Sequence, residues 1–127
     1  MNVKLLKEPI YGYIEIEKEI MNNIIDSSCF QRLRNIRQTS YSPLYHSSIH
    51  NRFIHSIGVY YLGTKSINSL KDSIIEYTSE NYFELIKKTF TLACLLHDVG
   101  HAPFSHTGEK FFIQNQIPSI NEQLITV

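Results

Sequence analysis

Residues 90–106 read FTLACLLHDVGHAPFSH, and this stretch joins the most apolar segment of the chain to a cluster of histidines. The apolar part covers nearly all sides of a helix, which predicts a core helix over about 82–98. Gly100 and Pro103 end this helix, because glycine favours helix termination and proline lacks the amide that a helix needs. A further helix is predicted over about 105–114. The fold is therefore organised around a buried helix that leads into a histidine-rich segment.

His97 and Asp98 stand side by side at the end of this helix. Charged side chains are almost never buried unless they are paired or bound to a metal ion. Imidazole together with carboxylate suits Mn, Fe, Zn or Ni, whereas carboxylate alone favours Mg. Adjacent helix residues point about 100° apart, so the pair needs a ligand from another helix. His55, on the apolar face of a helix predicted to start at Arg52, is the candidate; a core histidine with satisfied hydrogen bonds is the alternative interpretation.

Two more histidines, His101 and His106, follow the doublet. His101 lies four residues after His97, which would be ligand spacing on an unbroken helix, but Gly100 interrupts the helix. We therefore predict that His101 and His106 line the mouth of the site. Helix capping and loop hydrogen bonds are the alternative.

The rest of the chain predicts a mainly α-helical domain with a small N-terminal β-hairpin. The apolar spacing and the Pro, Gly and Ser positions place the other elements as follows. They are a strand or hairpin over 10–16, a short helix over about 17–25, a helix over about 28–37 capped by Asp26, Ser27 or Ser28, a loop over 39–51, and a helix from Arg52 to about Leu70. At 127 residues, we expect one domain over 1–127.

Composition narrows the classes of partner and compartment. Twelve basic and 12 acidic residues give a net charge of +0, which does not support nucleic acid as a partner. No apolar run approaches a membrane span or a secretory signal. Cys29 and Cys94 both lie in apolar sequence, so we expect reduced core thiols and a cytoplasmic location.

Three motifs, in order along about residues 8–110, resemble the HD superfamily of metal-dependent phosphohydrolases. HDVGHAPFSH, preceded by apolar LACLL, is similar to the superfamily signature, and HNRFIHSIGVYYLG is similar to its preceding motif. EPIYGYIEIEKEIMNNIIDSSCFQRLRNIRQ resembles the N-terminal hairpin and FQRLR helix of one branch, the deoxynucleoside triphosphate triphosphohydrolases. The resemblance implies an HD-domain helical bundle.

The resemblance also implies roles for single residues. His55, His97 and Asp98 match ligands of a divalent metal ion, which could be Mn, Fe, Zn, Ni or Mg. The family's fourth ligand is an aspartate well downstream, and no aspartate follows Asp98 here. We therefore expect that the chain is the N-terminal portion of a longer HD domain, truncated at its C-terminus and inactive or impaired alone. Its apolar Phe90, Leu95 and Leu96 would then lose partners, and it would form a homo-oligomer.

Catalytic and substrate-binding residues follow from the same match. His101 and His106 correspond to histidines that face the phosphates, one of them a general acid or base, and they form the implied catalytic set with Asp98. Arg52 matches an arginine that contacts the nucleotide. Gln38 stands where the family has a glutamine that reads the deoxyribose, although the loop up to the HNRFIH motif is one residue shorter here.

The implied activity is hydrolysis of a nucleotide, in which a deoxynucleoside triphosphate would give deoxynucleoside and triphosphate. A metal ion lowers the pKa of bound water towards 7 and neutralises phosphate oxygens. Two alternatives remain open. One is a catalytically degenerate HD module that binds nucleotide or nucleic acid or mediates oligomerisation, and the other is an HD-type nucleotide phosphodiesterase. The basic residues Arg32, Arg34 and Arg37 in FQRLRNIRQ predict a solvated helix face rather than a phosphate site.

Overall fold

The computed structural model describes residues 2–39, 44–45 and 49–101. It confirms a mainly helical chain that begins with a two-stranded antiparallel hairpin. The elements are β1 (Val3–Glu8), β2 (Gly12–Glu17), α1 (Lys18–Ile20), a π-helical turn (Met21–Ile25), α2 (Ser28–Gln31), a 3-10 turn (Arg32–Asn35), α3 (Arg52–Ser69), α4 (Lys71–Tyr77) and α5 (Glu80–Leu96). Within the described ranges, none of these helices has the length and hydropathy to cross a membrane.

The chain divides into two compact units. The first consists of the residues up to His55 together with the segment that starts at Asp98, and the second runs from Ser56 to His97. The predicted single domain over 1–127 stays a prediction.

The N-terminal hairpin is longer than the sequence pattern predicted, because the whole of β1 precedes Pro9. The two strands pair in register from Val3 opposite Glu17 to Glu8 opposite Gly12. The Glu8 carboxylate accepts the backbone N–H groups of Ile10 at 2.6 Å and of the next residue at 2.8 Å. Gly12 has φ +80°, a left-handed conformation that glycine adopts without steric cost. The Glu8 hydrogen bonds and the Gly12 conformation stabilise the turn between β1 and β2. The alternation of residues in the sequence did not locate this turn.

The segment after the hairpin consists of short helical turns that bury several apolar side chains of the first unit. Ser27, one of three predicted caps, begins α2 by accepting the N–H of Phe30 at 3.3 Å. After α2 the backbone tightens into the 3-10 turn, so the helix predicted over 28–37 is shorter and less regular than expected. Phe30, Leu33 and Ile36 are all buried.

A short antiparallel pairing leads into α3. The Arg52 N–H donates to the Ile36 carbonyl at 2.9 Å, and the Gln38 N–H donates to the His50 carbonyl at 3.0 Å. Asn51 caps the helix, because its Oδ1 accepts the N–H of Ile54 at 3.0 Å. The helix therefore begins at Arg52, as the sequence predicted.

The second unit is built from most of α3 with α4 and α5. Its buried apolar side chains are Ile57, Tyr60, Ile67, Phe83 and Leu95. Gly63 on α3 approaches Cys94 on α5 so closely that a Cβ at position 63 would lie 2.7 Å from the Cys94 Sγ. Glycine is therefore required for this helix contact, which agrees with the close packing that glycines permit.

Helix α5 differs from its prediction in two ways. It ends at Leu96, so Asp98 lies in the following turn and not in the helix. Its expected burial on all sides is wrong for the described residues, since the exposed side chains of Leu85 and Phe90 are 61% and 42% accessible. Leu95, in contrast, is fully buried. The helix predicted over 105–114 lies outside the described residues.

Both cysteines are free thiols, as expected, but they differ in environment. Cys29 is exposed, which corrects its assignment to the core: it lies on the outer side of the single turn of α2, of which only Phe30 is buried. Cys94 is half-buried, and desolvation by burial raises the pKa of its thiol.

Candidate metal centre

The HD doublet lies in a turn that begins where α5 ends. After Leu96 the backbone forms a turn over 97–100, and the His101 N–H donates to the Asp98 carbonyl at 3.0 Å. This closure keeps Asp98 and His101 on one short turn. Both residues are buried, each with 7% of its surface accessible.

Three of the predicted residues form a group that could hold a metal ion. His55, His97 and Asp98 each offer a ligand atom, and these atoms all lie within 4.8 Å of one another. His55 comes from the first turn of α3, whereas His97 and Asp98 follow α5 directly. The residues that the sequence predicted as metal ligands are therefore close in space.

The imidazole of His97 is held by its own helix. Its Nδ1 lies 2.8 Å from the Cys94 carbonyl oxygen. Because a carbonyl oxygen only accepts, this contact requires the proton on Nδ1 and leaves Nε2 as the ligand atom. A backbone carbonyl bonded to the second ring nitrogen is the usual partner of a metal-ligating histidine.

Asp98 is the most connected side chain of the group. Arg52 Nη1 lies 2.5 Å from Asp98 Oδ2, and only 3% of the Arg52 surface is accessible. His55 Nε2 lies 3.7 Å from the same oxygen, and His101 Nε2 lies 3.9 Å from Asp98 Oδ1. One carboxylate thus faces a guanidinium and two imidazoles.

The donor set fits a divalent metal ion. Two imidazoles and a carboxylate suit borderline cations such as Mn, Fe, Zn and Ni better than Mg. A carboxylate has about four acceptor positions on its two oxygens, so Asp98 can keep the Arg52 hydrogen bond and still bind a cation. The three groups would supply only part of a coordination shell.

The remaining predicted site residues are placed as follows. Gln38 is half-buried, and its Oε1 is shielded from solvent with no hydrogen-bond partner among the described residues. His106 lies outside the described residues. The roles predicted for Gln38 and His106 remain predictions.

Arg32 is a residue that the sequence analysis did not connect with the site. Its Nη2 donates to the Val99 carbonyl at 2.5 Å, and its Nη1 donates to the His101 carbonyl at 3.0 Å. The predicted solvated face is therefore wrong for Arg32, which is half-buried, whereas Arg34 and Arg37 are exposed. No local pattern could reveal this contact, because 67 residues separate Arg32 from Val99.

Comparisons with known proteins agree with the motifs. The model of the HD domain matches residues 52–122. The chain is 36% identical over 98% of its length to an uncharacterised protein, MG461, of Mycoplasma genitalium, of which it covers 28%. It is 38% identical over 93% of its length to the bovine deoxynucleoside triphosphate triphosphohydrolase SAMHD1, of which it covers 20%.

A solved structure agrees with the fold. A hypothetical protein from Aquifex aeolicus superposes with a TM-score of 0.70 at 37% sequence identity, covering 97% of this chain and 30% of that one. The chain thus spans between a fifth and a third of the length of these similar proteins. The match of the HD-domain model to more than half of the residues, and the arrangement of its histidines and aspartate, lead to one conclusion: the chain belongs to the HD-domain family.

Proposed function

We propose that this chain is part of a metal-dependent phosphohydrolase that acts on nucleotides, with a deoxynucleoside triphosphate as the substrate. The observation that carries the proposal is the group formed by His55, His97 and Asp98, whose ligand atoms lie within 4.8 Å of one another. The names of similar proteins, such as the bovine deoxynucleoside triphosphate triphosphohydrolase, support the substrate class.

His55, His97 and Asp98 would hold the metal ion. When bound, a divalent cation neutralises phosphate charge and makes water a stronger nucleophile at neutral pH. His97 presents Nε2 because Nδ1 is bonded to the Cys94 carbonyl. The Arg52 guanidinium orients Asp98 through its Nη1 contact. These contacts hold the ligands in place before substrate arrives.

Arg52 and His101 have proposed roles towards the substrate. A guanidinium carries five N–H donors in a planar fork, so Arg52 can hold Asp98 and a phosphate oxygen together. His101 Nε2 lies 3.9 Å from Asp98 Oδ1, so its imidazole is beside the ligand group, and we assign it the transfer of a proton to the leaving oxygen. His106, which corresponds to the second phosphate-facing histidine, shares this proposed role.

We assign Gln38 the recognition of the deoxyribose through a hydrogen bond. Its buried Oε1 lacks a hydrogen-bond partner among the described residues, and a buried acceptor without a donor costs about 1–3 kcal/mol. A sugar hydroxyl would supply that donor. The backbone of Gln38 is held by the His50 carbonyl, which is five residues from His55 along the chain.

The proposal extends to assembly and location. We propose that the protein forms a homo-oligomer and that it is cytoplasmic. Exposed apolar side chains on α5, among them Leu85 and Phe90, support self-association. Two free thiols support a reducing compartment. A single monomeric species in light scattering of the full-length protein at high concentration would refute self-association.

Product analysis of the full-length protein tests the activity. With Mn²⁺ and each deoxynucleoside triphosphate, chromatography should detect the deoxynucleoside together with tripolyphosphate, and His97→Ala should abolish both products. Glu84→Ala is the control, since Glu84 is an exposed carboxylate on α5 outside the ligand group. Release of a nucleoside monophosphate from a diester would instead identify a phosphodiesterase. A folded, metal-loaded protein that binds nucleotide without hydrolysis would identify a degenerate module.

A further inference from the structure

Arg32 makes two hydrogen bonds to the backbone that follows the HD doublet. Its guanidinium donates to the carbonyl oxygens of Val99 at 2.5 Å and His101 at 3.0 Å. These carbonyls belong to the turn that follows α5, three and five residues beyond Leu96, where no helix supplies backbone donors. A basic side chain near a helix C-terminus can satisfy such acceptors.

The same backbone carries two side chains of the site. Asp98 directly precedes Val99, and His101 N–H donates to the Asp98 carbonyl at 3.0 Å. The turn is therefore held by two kinds of hydrogen bond: those that Arg32 donates to its carbonyls, and the one between the backbone of His101 and Asp98. A shift of Val99 or His101 would move the Asp98 carboxylate and the His101 imidazole.

The segment that carries Arg32 also contacts the other ligand-bearing element. Phe30 packs edge-to-face on Phe53, with 5.5 Å between ring centroids, and Arg34 lies over the same ring at 3.6 Å from its centroid. Phe53 lies in the first turn of α3, between Arg52 and His55. Residues 30–34 therefore touch both the start of α3 and the turn after the HD doublet, all within the first unit.

Arginine suits this position better than another cation. Its planar guanidinium offers two parallel donors at a fixed spacing, which match two carbonyl oxygens two residues apart. A lysine offers a single ammonium on a flexible stem and cannot fix both oxygens in the same way. Arg37 belongs to the same basic segment but is exposed, so it carries the same charge without this contact.

We propose that Arg32 is a positioning residue of the candidate metal centre: its guanidinium fixes the Asp98–His101 turn against the segment that packs on α3, and thereby sets where Asp98 lies relative to His55. Arg32 touches neither metal ion nor substrate in this role and acts through the backbone of the turn. The inference rests on the proposed function for its activity readout only.

Three measurements on the full-length protein test this role in Arg32→Gln, with Arg37→Gln as the matched control. Hydrogen exchange of the peptide that contains 98–101 should speed up by about tenfold, because hydrogen bonds from a charged donor are lost. The Kd for Mn²⁺ should rise by about 10–100-fold, the usual effect of losing an outer partner of a metal ligand. For a hydrolysed nucleotide, kcat should fall while KM stays unchanged, because Arg32 does not contact the substrate. Arg37→Gln should match the wild type in all three.

Arg32→Lys keeps the test decisive if the glutamine variant does not fold. Lysine retains the charge but lacks the fork, so we expect a folded protein with measurably weaker Mn²⁺ binding. Wild-type exchange and wild-type Mn²⁺ affinity in a folded Arg32→Gln, or in Arg32→Lys if only that variant folds, would overturn the inference. A wild-type protein that hydrolyses no nucleotide, but loses Mn²⁺ affinity on Arg32→Gln, would refute the proposed function and leave the positioning role standing.

Discussion

Arg52 and Asp98 form a buried ion pair in which Arg52 Nη1 lies 2.5 Å from Asp98 Oδ2. Their side chains are 3% and 9% accessible, so water solvates neither charge appreciably. The pair joins the first residue of α3 to the turn after α5. Since a buried charge that loses its partner is strongly destabilising, this pair should matter for folding as well as for the site.

Removal of one partner should therefore destabilise the metal-free protein. Arg52→Met leaves the Asp98 carboxylate buried without its guanidinium, which we expect to cost about 3–5 kcal/mol in the free energy of unfolding. Arg52→Met combined with Asp98→Asn should recover most of that loss. Urea denaturation in the presence of EDTA measures both effects.

An exposed pair in the second unit serves as the control. Lys71 Nζ lies 3.2 Å from Glu80 Oε1, and both side chains are exposed. Lys71→Met should change stability by less than about 1 kcal/mol, as is usual for surface ion pairs. An Arg52→Met protein that is no less stable than the Lys71→Met protein would contradict the importance of the buried pair.

Metal binding should stabilise the folded protein by an amount that grows with the logarithm of the ion concentration. At a free Mn²⁺ concentration of 100 Kd, the expected gain is about 2.7 kcal/mol, and EDTA should reverse it. His55→Ala removes one imidazole of the ligand group and should abolish the shift in Tm seen by calorimetry. The shift should persist in Glu84→Ala, which removes an exposed carboxylate of α5 outside the ligand group. An equal shift in His55→Ala and the wild type would rule out His55 as a ligand.

Gly63→Ala should destabilise the second unit, although alanine is the better helix former. The new Cβ would lie 2.7 Å from Cys94 Sγ and 3.3 Å from Cys94 Cβ, so the Cys94 side chain or a helix has to shift. Overpacking of this kind costs about 1–3 kcal/mol. Thermal denaturation followed by circular dichroism gives the sign of the change.

Removal of the opposing sulfur should relieve most of that destabilisation. In a Cys94→Ala background, Gly63→Ala no longer meets the Sγ atom, and only the Cβ contact at 3.3 Å remains to offset the helix propensity of alanine, about 1 kcal/mol per residue. Equal destabilisation in both backgrounds would show that the contact between positions 63 and 94 is not the cause.

The two thiols should react at very different rates. Burial raises the pKa of the Cys94 thiol, and the thiolate is the reactive form, so less of Cys94 is reactive at neutral pH than of an ordinary cysteine. Cys29 is exposed and should be alkylated first by iodoacetamide. As the pH rises towards the raised pKa, labelling of Cys94 should increase. Mass spectrometry of Cys29→Ser and Cys94→Ser proteins assigns the two rates, and faster labelling of Cys94 at neutral pH would contradict the structure.

Elements with a strong local pattern were predictable, and weaker ones were not. The start of α3 at Arg52 follows from apolar periodicity and the long α5 from its apolar run, and the structure confirms both helices. Helix α4 (Lys71–Tyr77) was missed because it is seven residues long and buries none of its side chains, so it leaves no periodic signal. β1 was missed because its exposed and buried residues do not alternate regularly.

The candidate site was predictable for a different reason. His97 and Asp98 stand out by residue type in apolar surroundings, and the resemblance to the HD superfamily supported His55, for which a core histidine was the alternative. The contacts of Arg32 depend on how the chain returns to the same place after 67 and 69 residues, and no local rule contains that information. The exposed residues Leu85 and Phe90 show the same limit, because apolarity alone does not tell which face of a helix is covered.

The pairing of residues 36–38 with residues 50–52 separates loop length from site geometry. The Gln38 N–H donates to the His50 carbonyl, and the Arg52 N–H donates to the Ile36 carbonyl. These two hydrogen bonds hold the two ends of the loop together. Residues can be added to or deleted from a loop whose ends are paired at a small entropic cost, without displacing the helix that follows. An insertion or deletion between residues 39 and 49 should therefore leave Arg52 and His55 where they are.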